Sequence, residues 1–221
     1  MIKQLKQTLS ERETWILIYT AALLCTLSYH GAFGLLPKEY RGVEERVTRG
    51  LFFLATAFLF SLLVLRENPL KFGLGLGDVK GWAKWLLLFI PVMAIAILVA
   101  SKVDRSLAAY YPTHQLARQS DRQFLLHALG TVVYMFGWEY FLRGFLVFSL
   151  ERRFGSFAAV LQMVPFVLSH LGKPELEVYS SIAGGLILGV LALRTRSMWP
   201  CFLIHAFVAV WMDACVVYVW R

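Results

Sequence analysis

Residues 134–148 read YMFGWEYFLRGFLVF, an apolar run that contains two charged side chains, Glu139 and Arg143. A charge inside the hydrocarbon of a membrane costs roughly 2.5 to 3.5 kcal/mol on insertion scales. The two residues are four positions apart, so on a helix they share one face, with the acid nearer the N-terminus as in favourable ion pairs. The run therefore predicts a membrane helix that carries a buried ion pair.

The composition of the whole chain is that of a membrane protein. Of its 221 residues, 58% are hydrophobic and 16% are charged, whereas about a quarter of the residues are charged in a soluble domain. The mean hydropathy is +0.62. The net charge is +8, but the basic residues are scattered between apolar blocks, which suits loops at an anionic lipid surface better than a nucleic-acid face. We expect the lipid bilayer as a partner and no nucleic acid.

Apolar runs long enough to approach a membrane crossing, which needs about 20 residues, recur along the sequence. We predict about seven spans, with six or eight as alternatives, and an all-α, multi-pass transmembrane helical bundle. The bundle is expected to form a single integral membrane domain over residues 1–221, with the first run retained as a span and not cleaved as a signal peptide. The predicted runs are 15–36, 50–65, 82–101, 124–149, 157–171, 179–193 and 198–220.

Local sequence features add detail to this bundle. Pro91 and Pro165 are expected to interrupt the third and fifth runs. Gly185 and Gly189 in the sixth run have the four-residue spacing of small residues that lets two helices pack closely. The cysteines have no paired spacing and are interpreted as buried, reduced thiols. Similar Lys and Arg counts in the early loops leave the membrane orientation open. The cysteines are Cys25, Cys201 and Cys215.

Few further ionisable residues lie inside the predicted spans. His170 ends the fifth run, four residues after Phe166, and His205 and Asp213 lie in the seventh run. His30 and His127 lie nearer the ends of spans. Ionisable residues at membrane depth usually face the interior of the bundle and have a function.

One carboxylate and two imidazoles on separate spans can form a hydrolytic site. Glu139 can take a proton from a water and so generate the nucleophile. His170 can hold that water or relay the proton, and His205 can donate to the oxyanion that develops on a carbonyl. Arg143, one turn from Glu139, can orient the carboxylate. The predicted catalytic residues are thus Glu139, Arg143, His170 and His205.

A zinc site is the alternative chemistry for this set of residues. Two His and one Glu form a known catalytic zinc ligand set. However, no HExxH motif places two histidines on one helix of this chain. We therefore expect no cofactor and keep zinc as the less favoured alternative.

These residues resemble the CPBP intramembrane proteases, which include the type II CAAX prenyl proteases and the Abi or bacteriocin-processing proteins. That family carries Glu-Glu-x-x-x-Arg, Phe-x-x-x-His and a C-terminal His motif on successive spans. Here WEYFLR matches at Glu139 and Arg143, FVLSH matches at Phe166 and His170, and HAFVA supplies His205. The likeness covers roughly residues 120–215. It implies a helical bundle and a glutamic-type or metal-type endopeptidase that cuts a membrane-anchored peptide or protein.

The chain departs from the family motifs at two positions. Trp138 stands where the family has its first Glu, the residue usually taken as the water-activating base. Ala209 stands where the polar partner of the last His belongs, and Asp213 is two helical turns beyond His205, about 12 Å along the axis and too far for a direct contact. Either Glu139 is the single catalytic carboxylate, which we favour, or the chain is a degenerate member of the family.

Two other functions compete with the protease. The first is a non-catalytic membrane protein of the same fold that acts as an immunity or scaffold factor. The second is a small transporter whose Glu, Arg and His relay protons, but no two-half repeat of the transporter kind is found. We expect the membrane to be the cytoplasmic (inner) membrane of a bacterium. A prenylated peptide, a sorting signal and a bacteriocin leader are all open as substrates.

Overall fold

The computed structural model describes residues 7–30 and 34–220, and within these ranges the regular secondary structure is entirely helical. Two segments, Tyr140–Leu146 and Cys215–Val219, are π-helical and continue the helices before them. The α-helices are α1 (Arg12–Tyr29), α2 (Arg41–Leu63), α3 (Val79–Val103), α4 (Arg105–Tyr110), α5 (Asp121–Glu139), α6 (Val147–Phe154), α7 (Ala158–Leu168), α8 (Glu175–Thr195) and α9 (Trp199–Ala214).

The predicted all-α membrane bundle is confirmed. Among the described residues, four helices are long and apolar enough to cross a membrane, and each predicted run overlaps a helix, although the first run extends beyond the end of α1 at Tyr29. The end of the first run falls partly on residues 31–33, outside the described residues. The four spanning helices are Lys38–Leu63, Val79–Val103, Glu175–Thr195 and Trp199–Val219.

Two predicted details differ from the structure. The fifth run forms only the 11-residue helix α7, which ends at Leu168. At 1.5 Å per residue it is about 16 Å long, too short for a crossing. The expected interruptions by proline are also absent, because α3 continues through Pro91 as one helix of 25 residues and α7 continues through Pro165.

The fourth run lies in a long helical rod at the centre of the bundle. The rod consists of α5, the π-helical segment Tyr140–Leu146 and α6. It begins at Ser120, whose hydroxyl accepts a hydrogen bond from the Gln123 backbone N–H at 3.3 Å and so caps the first turn. Every residue of the π-helical segment is buried. Arg143 lies within this segment, so the centre of the rod carries half of the predicted ion pair.

Glycines bring helices against the rod and against one another. A Cβ atom on Gly50 of α2 would lie 2.6 Å from the Val133 carbonyl oxygen of α5, so only a glycine allows this approach. The predicted close packing by Gly185 and Gly189 is also found, because Cβ atoms there would lie 2.8 Å from the Phe166 ring and 2.5 Å from Gln162. Helix α7, which carries Phe166, is therefore held tightly against α8.

The predicted burial of the cysteines holds for two of the three. Cys201 and Cys215 are buried, and all three thiols are free. The prediction is wrong for Cys25, which is exposed on the surface of the protein. Its helix α1 lies at the outside of the bundle with a mostly exposed face.

Candidate active site

The predicted ion pair between Glu139 and Arg143 is present and fully buried. Glu139 is the last residue of α5, and Arg143 lies one turn later in the π-helical segment. Arg143 Nη1 donates a hydrogen bond to Glu139 Oε1 at 3.0 Å, and both side chains have 0% exposure. The second oxygen, Glu139 Oε2, is buried and has no hydrogen-bond partner among the described residues.

His205 of α9 meets the same carboxylate. His205 Nδ1 lies 2.5 Å from Glu139 Oε1. Because Oε1 already accepts a hydrogen bond from Arg143, it is an acceptor, so His205 Nδ1 carries the proton and donates it. One oxygen of Glu139 thus accepts from both Arg143 and His205. Three of the four predicted site residues are joined by direct hydrogen bonds.

Phe166 connects the fourth residue, His170, to this group. The Phe166 ring lies 4.1 Å from the Arg143 guanidinium carbon, in cation–π geometry. The same ring has its centroid 4.5 Å from that of His170 and 5.6 Å from that of His205. His170 therefore joins the site through packing on an aromatic ring.

The ring orientation of His170 is set by its own helix. His170 Nδ1 lies 2.8 Å from the Phe166 carbonyl oxygen. A carbonyl can only accept, so Nδ1 carries the proton and Nε2 of the neutral ring has a free lone pair. Phe166 and His170 of the FVLSH motif therefore both belong to the group, Phe166 by packing and His170 with the lone pair of Nε2 left free of that bond.

A cavity of about 890 Å³ opens beside the two histidines. His170, His205 and Phe166 line it, whereas Glu139 lies behind His205 and does not. Apolar residues of three spanning helices form much of the wall, and residues of α2, α5 and the connectors, many of them polar, complete it. Its members include Phe89, Met93, Ala96 and Ile97 of α3, Gly184 and Ile187 of α8, and Val208, Ala209 and Met212 of α9.

A polar group next to His170 was not predicted from the sequence. Glu177, in the first turn of α8, has Oε1 3.9 Å from His170 Nε2. The Tyr111 hydroxyl donates to Glu177 at 2.6 to 2.7 Å, and Lys173 Nζ donates at 2.7 Å. Burial, and then the charge of Glu177, raise the pKa of Tyr111, so its phenol is protonated and a donor at neutral pH. Only the four-residue spacing of Lys173 and Glu177 was a signal in the sequence.

A second buried pair lies between the helices that carry Glu139 and His205. His127 Nε2 of α5 lies 2.8 Å from Asp213 Oδ2 of α9, and both residues are buried. Asp213 lines the cavity. The sequence placed Asp213 too far from His205 for contact, and its observed partner is His127. The pair fixes the position of α9 along α5 at a second level of the bundle.

The donor set of the site does not fit a catalytic zinc ion. Among the described residues, no group of three or more His, Cys, Asp and Glu side chains is close enough to hold a metal. Glu139 and His205 supply one carboxylate and one imidazole, but the Arg143 guanidinium occupies the shared oxygen. A cation at that oxygen repels a divalent metal.

Trp138, at the position of the missing acid, belongs to the aromatic core. It is 3% exposed, and its ring lies 4.8 Å from that of Phe53 between centroids. The rings of Tyr134, Phe141 and Phe166 are 6.2 to 6.4 Å away. Trp138 thus supports Phe166 from behind and brings no acid or base to the cavity.

A model of a known protein family matches the part of the chain that carries the three motifs. Residues 121–211 match the family model described as type II CAAX prenyl endopeptidase, Rce1-like. The match begins at α5 and ends within α9, so it includes all four predicted site residues, although it covers less than half of the chain. No curated protein and no solved structure matches the chain. Over residues 121–211 this membrane protein is similar to the type II CAAX prenyl endopeptidases, which confirms the resemblance drawn from its three motifs.

Proposed function

We propose that this protein is an intramembrane endopeptidase that hydrolyses a peptide bond of a membrane-associated protein or peptide. The observation that carries the proposal is the junction of Arg143, His205 and Glu139 on one buried carboxylate oxygen beside an apolar cavity. The similarity to an endopeptidase family over the same residues supports it. We further propose that the membrane is the cytoplasmic membrane of a bacterium.

In this mechanism Glu139 acts on water through His205. From the sequence, we expected Glu139 to take a proton directly from a water. Because Glu139 is buried behind the His205 ring, the water in the cavity gives its proton to His205 instead. The bond from Nδ1 to Glu139 leaves His205 Nε2 as the nitrogen available to the cavity, where it takes the proton of the water. Glu139 then stabilises the imidazolium, as a carboxylate does in a catalytic triad. Arg143 holds the Glu139 carboxylate in position through its hydrogen bond to Oε1.

The chemical steps balance with these groups alone. The water oxygen forms a bond to the scissile carbonyl carbon while its proton moves to His205. The carbon–nitrogen bond then breaks, and the proton on His205 passes to the leaving amine. His170 Nε2, the second lone pair in the cavity, accepts a hydrogen bond from the water and orients it.

The proposal includes no metal ion. The residues present supply the base and its charge partner, and their donor set does not fit zinc. We expect that a chelator leaves processing unchanged in membranes that contain the protein. Loss of processing on chelation, with recovery on addition of zinc, would contradict this part of the proposal.

A non-catalytic relative of the same fold is the second candidate, and the position of Trp138 favours it. The Trp138 side chain fills the place of an acid with an aromatic ring. Such a protein would bind a peptide in the cavity as an immunity or scaffold factor without cutting it.

One experiment separates the two candidates. The protein is expressed with a panel of membrane-anchored candidate substrates, and cleavage is compared with that by the Glu139→Gln and Glu139→Ala variants. Glu175→Gln is the matched control, because Glu175 lies on α8 outside the cavity wall. We expect Glu139→Gln to abolish cleavage and the control to retain it. Equal cleavage by all variants would refute the role of Glu139, and peptide binding without cleavage would favour the scaffold.

A further inference from the structure

Three polar side chains beside His170 form a connected group on the cavity wall. Lys173 Nζ donates a hydrogen bond to Glu177 Oε1 at 2.7 Å. The hydroxyl of Tyr111, which follows α4, donates to the same carboxylate. All four residues line the cavity. The mechanism proposed above gives a task to His170 and none to the other three.

The two donors hold the Glu177 carboxylate in one orientation. The Tyr111 hydroxyl oxygen lies 2.6 Å from Oε2 and 2.7 Å from Oε1, and Lys173 Nζ lies against Oε1. A carboxylate has about four lone-pair sites, and two donors do not fill them. Glu177 can therefore accept one more hydrogen on the side that faces the cavity.

The next polar atom on that side is the free ring nitrogen of His170. His170 Nε2 lies 3.9 Å from Glu177 Oε1, which is too long for a direct hydrogen bond. Because His170 Nδ1 donates to the Phe166 carbonyl, Nε2 is an acceptor, and so is Oε1. Two acceptors at this separation need a donor between them. A water about 3 Å from both atoms fits, with one O–H shared between them.

We propose that Glu177 and His170 together hold the water that attacks the peptide bond. The proposal rests on the proposed function, because this water is the nucleophile of that reaction. One O–H of the water is shared between His170 Nε2 and Glu177 Oε1, and the other O–H points to His205 Nε2, which takes its proton. The lone pairs of the oxygen are then left for the carbonyl carbon. Glu177 gains no proton, so the steps given above still balance.

A bond between Glu177 and Tyr111 also ties the connector after α4 to the first turn of α8. Loss of Glu177 could therefore loosen the cavity wall without any role in holding water. Two variants separate these effects. Glu177→Leu has a side chain of similar size without an acceptor, whereas Glu177→Gln keeps one acceptor oxygen.

The rate constant and the Michaelis constant are measured for a membrane-anchored substrate, with the full-length protein in lipid nanodiscs. We expect Glu177→Leu to lower kcat about tenfold or more, the scale of one charge-assisted hydrogen bond. Glu177→Gln should retain part of the lost activity, and KM should stay within about twofold because Glu177 contacts the water and not the peptide. Glu175→Gln is the control, since Glu175 is exposed on the same helical turn and lies outside the cavity wall.

A double-mutant cycle tests whether the two residues hold the same water. Once His170→Gln has removed one acceptor, Glu177→Leu should cost much less in kcat than it does alone. Fully additive losses would overturn the proposal, because they would show that the two residues act independently. So would a rise in KM with an unchanged kcat in Glu177→Leu, which is the result expected of a loosened wall.

The water can also be observed without cleavage. Nitrogen-15 NMR of histidine-labelled protein in lipid at low temperature should show a contact between His170 Nε2 and a water proton, assigned with His170→Gln. We expect the contact to weaken in Glu177→Leu and to persist in Glu175→Gln and Glu139→Gln. A contact that is missing in the wild type, or unchanged in Glu177→Leu, would overturn the proposal.

These measurements separate this inference from the proposed function. Cleavage that needs Glu139 and is unchanged in Glu177→Leu would refute the role of Glu177 alone. A protein that cuts no substrate but keeps the water contact that depends on Glu177 would refute the proposed function, while the water site of His170 and Glu177 would stand.

Discussion

His205 Nδ1 and Glu139 Oε1 lie 2.5 Å apart although the two residues are 66 positions apart in the chain. The contact joins α9 to the end of α5, where the helix widens into the π-helical segment. Wide turns of this kind occur frequently at functional sites. Because Arg143 lies in the wide turn, its guanidinium reaches the same oxygen, and the position of α9 decides whether the site is assembled.

Removal of Arg143 should destabilise the protein strongly. In Arg143→Ala the buried carboxylate of Glu139 loses its cation, and we expect a loss of about 3–5 kcal/mol in the free energy of unfolding. Unfolding by denaturant in detergent micelles measures it. Arg152→Ala is the comparison, because Arg152 is exposed and pairs with Glu67 at the surface, where such a pair contributes about 0–1 kcal/mol. Equal losses in the two variants would show that the buried pair is not needed for stability.

The two histidines of the cavity should be needed for cleavage and not for folding. His205→Gln removes the proton acceptor, and we expect the rate of substrate cleavage to fall roughly 10²- to 10⁴-fold. His170→Gln removes the second lone pair and should also slow cleavage. His30→Gln is the control because His30 lies outside the cavity wall. Full activity of the His205 variant, with its fold verified by thermal unfolding, would refute the relay.

Adjacent glycines of α8 should respond differently to the same substitution. In Gly185→Ala the new methyl group would meet the Phe166 ring at 2.8 Å, which we expect to cost about 1–3 kcal/mol and to shift the ring that separates the two histidines. In Gly184→Ala the methyl group meets no atom within 4 Å, and the gain in helix propensity should stabilise the protein by up to about 1 kcal/mol. Thermal unfolding and cleavage of both variants test this. The prediction fails if Gly185→Ala matches Gly184→Ala in both measurements.

The raised pKa of Tyr111 makes part of the stability depend on pH. The folded protein keeps the phenol protonated, whereas the unfolded chain ionises it near pH 10. The contribution of the protonated Tyr111 phenol to the free energy of unfolding is therefore complete below about pH 10 and is lost as the pH rises further. Tyr111→Phe should lose stability less steeply above pH 10 than the wild type, as measured by unfolding at a series of pH values. Parallel curves would contradict this expectation.

Those features of the fold and site that depend on local spacing were predictable from the sequence. The four-residue separation of Glu139 and Arg143 predicted a pair on one helical face, and the pair exists. The spacing of Gly185 and Gly189 predicted a close helix contact, and α7 makes it. Both follow from the geometry of a single helix, which the sequence encodes directly.

Features that depend on which helices are neighbours were not predictable. His127 and Asp213 are 86 positions apart, and Tyr111 and Glu177 are 66 positions apart. No periodicity relates such residues, because their contact is a property of the packed bundle. The position of Glu139 behind His205 is likewise a property of the packed bundle. The sequence indicated that both residues belong to the site, but it did not indicate which of them faces the cavity.

Each hydrogen bond in the Tyr140–Leu146 segment spans five residues, whereas those in α5 and α6 span four. The wide turn therefore takes up about one residue more than an ordinary helix would hold over the same length, while α5 and α6 remain parts of one continuous rod. Deleting a single residue there would close the turn to an ordinary helix and leave α6 in its place against its neighbours. In the evolution of this chain, residues 140–146 are thus a segment in which the rod can lose one residue without displacing the helices on either side.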